Sequence, residues 1–410
     1  MSQTAAALPN KPPAPARIGF RTLIDPMSPE DFLDDVFNEK AVYLPGQDNR
    51  FDDVFSWDGV SRLLDMSTLW SSATLKMVLD GRSLEAEEFC SPNQNRDGAS
   101  VAQPDPARVQ ALIRQGATVS LNLVETMTPE ISSIVAALQC WFTGETVCNV
   151  YCSAGGHQGF GSHFDIHDVF VLQIAGTKTW NIYAGHFEES VNLEGYRSNS
   201  FSDEFNNENR GPIDMQPTMT PGDVLYIPRG RYHDALASSD ASLHLTFGVE
   251  FMSGFHFLSA IGTGLIEDPV LRKPLPRFDD GDAHREHMRE MADHVHAYMT
   301  NPMLSQVMRK EQRKRAFSYC LQTYNMPTGK MAPVLRVRSL RKRLARQGAE
   351  WRLETPSGAT DLSAEEARLA EWLFPQDYFL AEEAEAAFGT GLPVATILGK
   401  FERIGLVESI

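Results

Sequence analysis

The run Gly161-Ser-His-Phe-Asp165 sets a histidine and an aspartate two positions apart, His163 and Asp165. In an extended segment alternate side chains leave the same face, so both groups then point the same way. A second histidine, His233, ends the run Tyr226-Ile-Pro-Arg-Gly-Arg-Tyr-His233 far down the chain, where another strand of one barrel can bring it to that face. Two imidazoles and one carboxylate that leave the opposite coordination positions open make the facial triad of non-haem Fe(II) oxygenases. Open positions are what oxygen chemistry needs, because a cosubstrate and O2 must both reach the metal.

A His-x-Asp pair by itself occurs often by chance, and a lone histidine near a turn is more often a hydrogen-bonded surface or core residue. The surroundings here favour the ligand reading. His233 follows a Pro-Gly-Asp-Val-Leu-Tyr-Ile-Pro unit that reads as turn, strand and turn. Lys178, Trp180 and Ile182 alternate down one face after the Ala175-Gly176 turn. His167 would share the face of His163 and Asp165 if the strand continued; a surface, substrate-facing or supporting role suits it better than that of a fourth ligand. His157 and His244 read as structural, Asp168 as structural or substrate-side, and Trp180 as core.

The elements that must position these groups follow from periodicity and punctuation. Ser28-Pro-Glu-Asp31 before Phe32, Leu33, Val36 and Phe37 predicts a capped amphipathic helix. Strands are predicted at Ala41–Leu44, Leu75–Leu79, Thr118–Val124 and Thr146–Tyr151, with a helix over Pro129–Trp141. Further strands are predicted at Val169–Ile174, Thr177–Tyr183, Asp223–Ile227 and Ser242–Val249. Residues 91–106 are polar and Pro-rich and read as a loop, as does the Asn-, Ser- and Glu-rich stretch Tyr183–Gly211, which would cover the mouth of a site. Many short strands between Gly and Pro turns read as a sandwich or barrel, jelly rolls and cupins among them.

After Met252 the pattern turns helical, at His284–Met299 and Asn301–Tyr324, until Pro327, Gly329 and Pro333 break it. A short basic stretch follows at Leu335–Arg346, and within it Arg336–Arg346 could contact RNA, though such a run is more often a solvated helix face. Ser363-Ala-Glu-Glu366 is a capping-box start for a helix to Trp372. Helices at Glu382–Phe388 and Val394–Ile404 and a terminal strand follow, a pattern resembling a winged helix.

At 410 residues the chain is long for one core, so about two or three domains are expected. A hydrophobic share of 42% and an aromatic share of 10% are those of an ordinary globular protein, and no run of about 18 apolar residues suggests a membrane span. Residues 1–17, rich in Ala and Pro, read as a disordered arm rather than a signal peptide. Cys90, Cys140, Cys148, Cys152 and Cys320 lack Cys-x-x-Cys spacing, which argues against a disulfide framework or zinc site and fits a reducing cytoplasm. A net charge of −17 argues against non-specific wrapping of nucleic acid and suits solubility, with basic protein or peptide substrates a second reading.

The run from Asn149-Val-Tyr151 through Gln158-Gly-Phe-Gly-Ser-His-Phe-Asp-Ile-His-Asp to Thr177-Lys-Thr-Trp180 closely resembles the JmjC ribosomal oxygenases. So do Gly222-Asp-Val-Leu-Tyr-Ile-Pro-Arg-Gly230 and Ser242-Leu-His-Leu-Thr246. The resemblance is strong over about residues 117–250 and architectural beyond. It implies an α+β chain: a double-stranded β-helix (a JmjC/cupin jelly roll) over 18–251, with its core barrel at about 117–250, a helical dimerisation region over 252–346 and a winged-helix-like domain over 350–410. It implies hydroxylation of a side chain of a ribosomal protein with Fe(II), O2 and 2-oxoglutarate, and a homodimer. Position by position, His163, Asp165 and His233 match the metal ligands, and Lys178 matches the base that binds the distal carboxylate of 2-oxoglutarate. Asn149 and Thr246 match positions near the cosubstrate, though either also fits a structural strand residue. Lys rather than Arg at 178 looks more like the histidine-hydroxylating branch. Gly248 departs from the pattern, standing where a small hydroxyl residue is common.

Demethylation of a methylated side chain and hydroxylation of a peptide natural product use the same iron chemistry and stay open. A ligand-sensing cupin that binds DNA through the tail is a reading of another class. Against it stand the acids of that tail, Glu365, Glu366, Glu371, Asp377, Glu382, Glu383 and Glu385, where a groove-reading helix should be basic.

Overall fold

The computed structural model describes residues 18–48, 50–94, 98–154, 161–237, 241–316, 334–337, 342–347, 350–355, 358–374, 376 and 378–409. The expected arm at 1–17, the Gln158-Gly-Phe portion of the motif, His157, Cys320 and the breaks at Pro327, Gly329 and Pro333 lie outside the described residues. The chain separates into two compact units. The first holds the described residues of Met1–Ile134, Cys148–Asp165 and Val169–Phe247; the second holds those of Val135–Val147, Ile166–Asp168 and Gly248–Ile410.

In the first unit a short helix, Phe20–Leu23, precedes the helix Pro29–Asp35, started by Ser28, whose side chain accepts from the Asp31 N–H at 3.0 Å. Its strands, continuing through the segments where the chain passes between units, are β1 (Val42–Leu44), β2 (Leu75–Leu79), β3 (Arg82–Ser83), β4 (Cys90–Gln94), β5 (Ser100–Pro104), β6 (Thr118–Asn122) and β7 (Glu145–Ala154). There follow β8 (Asp168–Ala175), β9 (Lys178–His186), β10 (Ile213–Met215), β11 (Thr218–Met219), β12 (Val224–Ile227), β13 (Arg231–Ala237) and β14 (Ala241–Glu250). One sheet runs β1-β12-β8-β14-β7-β6-β2-β3; a second is built on β9, flanked by β10, β11 and β13. Val169, Val171, Trp180, Ile182, Met219, Leu225 and Ile227 make one apolar cluster from strands of both sheets, which is how alternating strands bury their inner faces. Residue for residue, β12 is buried on both faces, which explains its unbroken Val-Leu-Tyr-Ile composition.

Two turns meet where β1 and β12 pair. The Asp223 carboxylate accepts from Tyr43 Oη at 2.8 Å, Gly46 N at 2.8 Å and Thr220 N at 2.7 Å. A Cβ on Gly46 would stand 1.9 Å from the Gly222 carbonyl oxygen, so the close approach requires glycine.

Two expectations are corrected. Residues 91–106 are not a loop: β4 and β5 form a hairpin in register from Cys90 opposite Pro104 to Gln94 opposite Ser100. Its exposed strands pair through polar groups, Asn93 donating to Gln103, so the alternation of apolar residues that marks a half-buried strand is absent. The strand expected to carry His233 is β13, which starts at Arg231, directly after the Pro228–Gly230 turn, and so has no apolar run of its own to give its bounds. The basic run Leu335–Arg346 is not a helix face; its described parts fall in strands β15 (Val334–Val337) and β16 (Arg343–Gln347).

In the second unit the helices Gly254–Leu265, Gly281–Met299 and Pro302–Ala316 are followed by β15, β16, β17 (Glu350–Thr355), β18 (Gly358–Leu362), β19 (Tyr378–Leu380) and β20 (Val407–Ser409). They make two small sheets, β19-β15-β20 and β16-β17-β18. Helices Ala364–Leu373, Ala381–Phe388 and Val394–Arg403 pack on them through Leu369, Leu373, Phe379, Ile397 and Phe401. The capping box at Ser363 and Glu366 forms as its sequence predicts. Among the described residues, no helix is long and apolar enough to cross a membrane.

Candidate active site

His163 and His233 lie on neighbouring backbone segments and exchange two hydrogen bonds, His163 N to His233 O at 3.0 Å and His233 N to His163 O at 2.8 Å. Their rings are tilted with centroids 4.5 Å apart. Asp165 Oδ2 lies 3.5 Å from His233 Nε2. Ligand atoms of His163, Asp165 and His233 all come within 4.8 Å of one another, the spacing of groups that can share one ion. His163 Nδ1 is 2.8 Å from the Gly161 carbonyl and His233 Nδ1 is 2.9 Å from the Arg231 carbonyl. A carbonyl can only accept, so each Nδ1 carries the proton and each Nε2 lone pair is left for a metal.

The electrostatics fit a cation. Burial, then the neighbouring His233, push the His163 ring below the usual histidine range, so it stays neutral and able to ligate. Burial also presses His233 down, but the Asp165 carboxylate and the Arg231 carbonyl outweigh it and hold that ring above the usual value. A proton is drawn to the place where a metal would sit.

Further in, Lys178 on β9 is buried, with Nζ 3.4 Å from Ser153 Oγ and 5.7 Å from the Trp180 ring centre. Among the described residues it has no carboxylate partner, and burial pulls its ammonium down to about 8. His163, Asp165, His233 and Lys178 line one cavity with Thr118, Tyr151, Val169, Trp180, Asp234, Ala235, His244 and Thr246. Thr246 Oγ1, Trp180 Nε1 and His244 Nδ1 are buried there without a hydrogen-bond partner among the described residues. A buried cation and several unsatisfied polar atoms around one cavity call for a polar, anionic ligand.

Thr246 lines the cavity, and Asn149 stands behind the lining residue Tyr151, to which its side chain bonds, its carboxamide oxygen accepting from Leu123 N at 3.2 Å. His244, read as structural, is a cavity residue stacked on Tyr151 with centroids 4.9 Å apart; it shares the face of Thr246, two positions on, and that parity was the available signal. Burial and the Lys178 charge hold His244 far below the usual histidine range, so it is neutral. Tyr151 likewise shares the face of Ser153. His167 belongs to the second unit, where Gly248 makes room for it: a Cβ at 248 would stand 2.8 Å from its ring. The Tyr183–Gly211 stretch is no plain loop, since β9 runs on to His186 and a helix forms over Asp203–Asn209 behind the Ser202 cap.

Residues 123–256 match the JmjC domain. A bifunctional lysine-specific demethylase and histidyl-hydroxylase of Dictyostelium discoideum, NO66, is 29% identical over 226 residues, 55% of this chain and 41% of that protein. Human ribosomal oxygenase 1 is 27% identical over 269 residues, 63% of this chain and 39% of that protein. The chain thus spans less than half the length of either relative. Among solved structures, the Escherichia coli ribosomal oxygenase YcfD aligns with 94% of this chain and 98% of its own at 16% identity and a TM-score of 0.48.

Proposed function

We propose that this chain, which carries a JmjC domain at residues 123–256 and is related to the ribosomal oxygenases, is an Fe(II)- and 2-oxoglutarate-dependent dioxygenase that hydroxylates a side chain of a protein substrate. The observation that carries the reading is the set His163, Asp165 and His233 beside the buried, carboxylate-free Lys178 in one cavity. In this reading the triad would hold Fe(II), Lys178 the distal carboxylate of 2-oxoglutarate, and Thr246 a polar end of the same ligand. Bound iron, with O2 and 2-oxoglutarate, supplies the oxidising chemistry, in which a C–H bond becomes C–OH and 2-oxoglutarate leaves as succinate and CO2.

The chain's own residues bind and orient. The Gly161 and Arg231 carbonyls fix both imidazole tautomers, and Lys178 supplies a charge whose burial is offset only when an anion arrives. His244, being neutral, adds a polar contact without competing for that anion. No protein acid or base need transfer a proton, and the apolar walls at Val169 and Trp180 limit water around the reacting centre.

The substrate is proposed to be a ribosomal protein, with histidine hydroxylation favoured by Lys at 178 and by the histidyl-hydroxylase name of the Dictyostelium relative. Asn149 is proposed to act near the cosubstrate, in support of the cavity-lining Tyr151 to which its side chain bonds. A homodimer through the helices after residue 252 is supported by apolar side chains left exposed there, including Phe255, Leu258, Met288 and Met303. The tail is read as a winged-helix-like protein-interaction domain, and a cytoplasmic location fits Cys90, Cys148 and Cys152, which form no disulfide.

The test is anaerobic titration with Fe(II) and 2-oxoglutarate, followed by a ribosomal-protein digest in air with mass detection. A visible metal-to-ligand charge-transfer band, and one oxygen atom gained with stoichiometric succinate, are expected. A folded, iron-loaded protein with no band would remove the reading.

A further inference from the structure

We propose that the connection 187–212 between β9 and β10 is a clamp on the ligand-bearing segments, so that its closure and metal binding stabilise each other; this rests on the metal reading above. Each ligand has an immediate chain neighbour gripped by this connection. Phe164, between His163 and Asp165, stacks on Phe187 with centroids 4.6 Å apart and an interplanar angle of 8°. Phe201 also approaches Phe164, and is itself stacked on Phe205 at 4.4 Å. Tyr232, just before His233, meets Phe164 edge-on at 5.2 Å, so one aromatic cluster touches both ligand segments.

Polar contacts repeat the pattern. Ser190 is fully buried and its hydroxyl donates to the Asp165 carbonyl at 2.9 Å. Asp234, just after His233, accepts from Asn181 Nδ2 and Tyr183 Oη, each at 2.6 Å. Arg210, at the end of the helix Asp203–Asn209, completes that group: it lies 3.5 Å from Asp234 Oδ2, donates to Tyr183 Oη at 2.9 Å and covers the Tyr183 ring at 4.6 Å. The connection is anchored at its start by Phe187 N to Gly230 O, 2.8 Å, and at its end by Gly185 N to Arg210 O, 2.7 Å.

A metal demands its ligands within a few tenths of an ångström, so groups that fix the neighbours of those ligands raise affinity without touching the ion. Coupling of this kind is reciprocal: a metal that draws the ligands together must also favour the closed connection. Ser190 and Arg210 are therefore positioning residues.

The experiment titrates the full chain with Co(II), read by its visible spectrum, and follows limited proteolysis within 187–212 with and without the ion. Arg210→Ala and Ser190→Ala should each weaken Co(II) binding about tenfold or more, with Arg210→Lys recovering part of the loss. Co(II) should slow cleavage in the wild type. Wild-type affinity in both alanine variants would overturn the clamp, whatever their melting temperatures. A wild-type chain that shows no Co(II) spectrum would instead sink the metal reading, and the clamp with it.

Discussion

His163 and His233 close an antiparallel bridge in which each donates its backbone N–H to the other's carbonyl, at 3.0 and 2.8 Å. The relationship belongs to the main chain, so the imidazoles are brought together by the same bonds that join the two segments. Neither side chain is needed to hold the other's backbone.

That separation predicts how ligand variants behave. His163→Ala and Asp165→Ala should abolish the charge-transfer band formed with Fe(II) and 2-oxoglutarate, while the metal-free melting temperature stays near that of the wild type. Anaerobic absorbance with differential scanning calorimetry checks both. A variant that unfolds along with losing the band would mean the side chains, not the backbone bridge, organise the site.

The paired turns at Gly46 and Gly222 give a stability prediction. Gly222 has φ of 92°, and a Cβ there would stand 1.9 Å from the Gln47 carbonyl oxygen. Gly222→Ala would combine left-handed backbone strain with a clash against backbone that cannot move aside, at a cost of about 3 kcal/mol or more. A lowered urea midpoint would show it. An unchanged midpoint would mean that the turns are free to separate.

The convergence of His163, Asp165 and His233 is legible in the sequence because it needs only parity and proximity in a barrel. His163 and Asp165 sit two apart, and the turn–strand–turn unit before His233 announces where the chain returns. What escaped had no pattern of its own. The bounds of β13 are one case: it buries His233 and Asp234 and leaves Arg231 and Ala235 half-buried, so neither alternation nor an apolar run marks them. The β4–β5 hairpin is held by polar cross-strand pairs and contains Pro92 and Pro104, which in sequence read as loop. His244 reads as structural in the sequence because burial in a core and burial in a cavity wall draw on the same residue types. Gly248 looked like a missing hydroxyl, yet its lack of a Cβ is what admits the His167 ring.

In the second unit, Glu366 does two jobs. Its carboxylate accepts from the Ser363 N–H at 2.8 Å and from Lys400 Nζ at 2.7 Å. Burial presses its pKa up, but these two contacts outweigh that and hold it below its ordinary 4.5. A depressed carboxyl stabilises the fold above its unfolded value, and the contribution is lost as pH falls through the folded value. Glu366→Ala should therefore cost about 1–2 kcal/mol near neutral pH, from a cap and a partly exposed ion pair. Its unfolding midpoint should converge with that of the wild type in strong acid; a gap that persists there would assign the effect to packing.

Lys178 makes the sharpest prediction, because in the proposed function its buried charge awaits a ligand's carboxylate. In the metal- and cosubstrate-free protein its pKa is lowered from 10.5 to about 8 by burial. The folded state therefore binds fewer protons than the unfolded state between those values, and stability rises with pH across that window. Below about pH 8 the whole penalty is present, on the order of 3 kcal/mol at about 1.4 kcal/mol per pH unit. Lys178→Met should then stabilise the ligand-free protein at neutral pH, with the gain shrinking as pH climbs past 8. The same substitution should raise the KM for 2-oxoglutarate by about two orders of magnitude while leaving metal affinity nearly intact, since a charge-assisted hydrogen bond to the dicarboxylate is lost. Wild-type affinity for 2-oxoglutarate should fall as pH rises through the value of about 8, where the ammonium gives up its proton. Calorimetric titration of the metal-loaded protein across that range reads this directly, and a flat profile would show that the anion is held by Thr246, His244 and Trp180 without the lysine's charge.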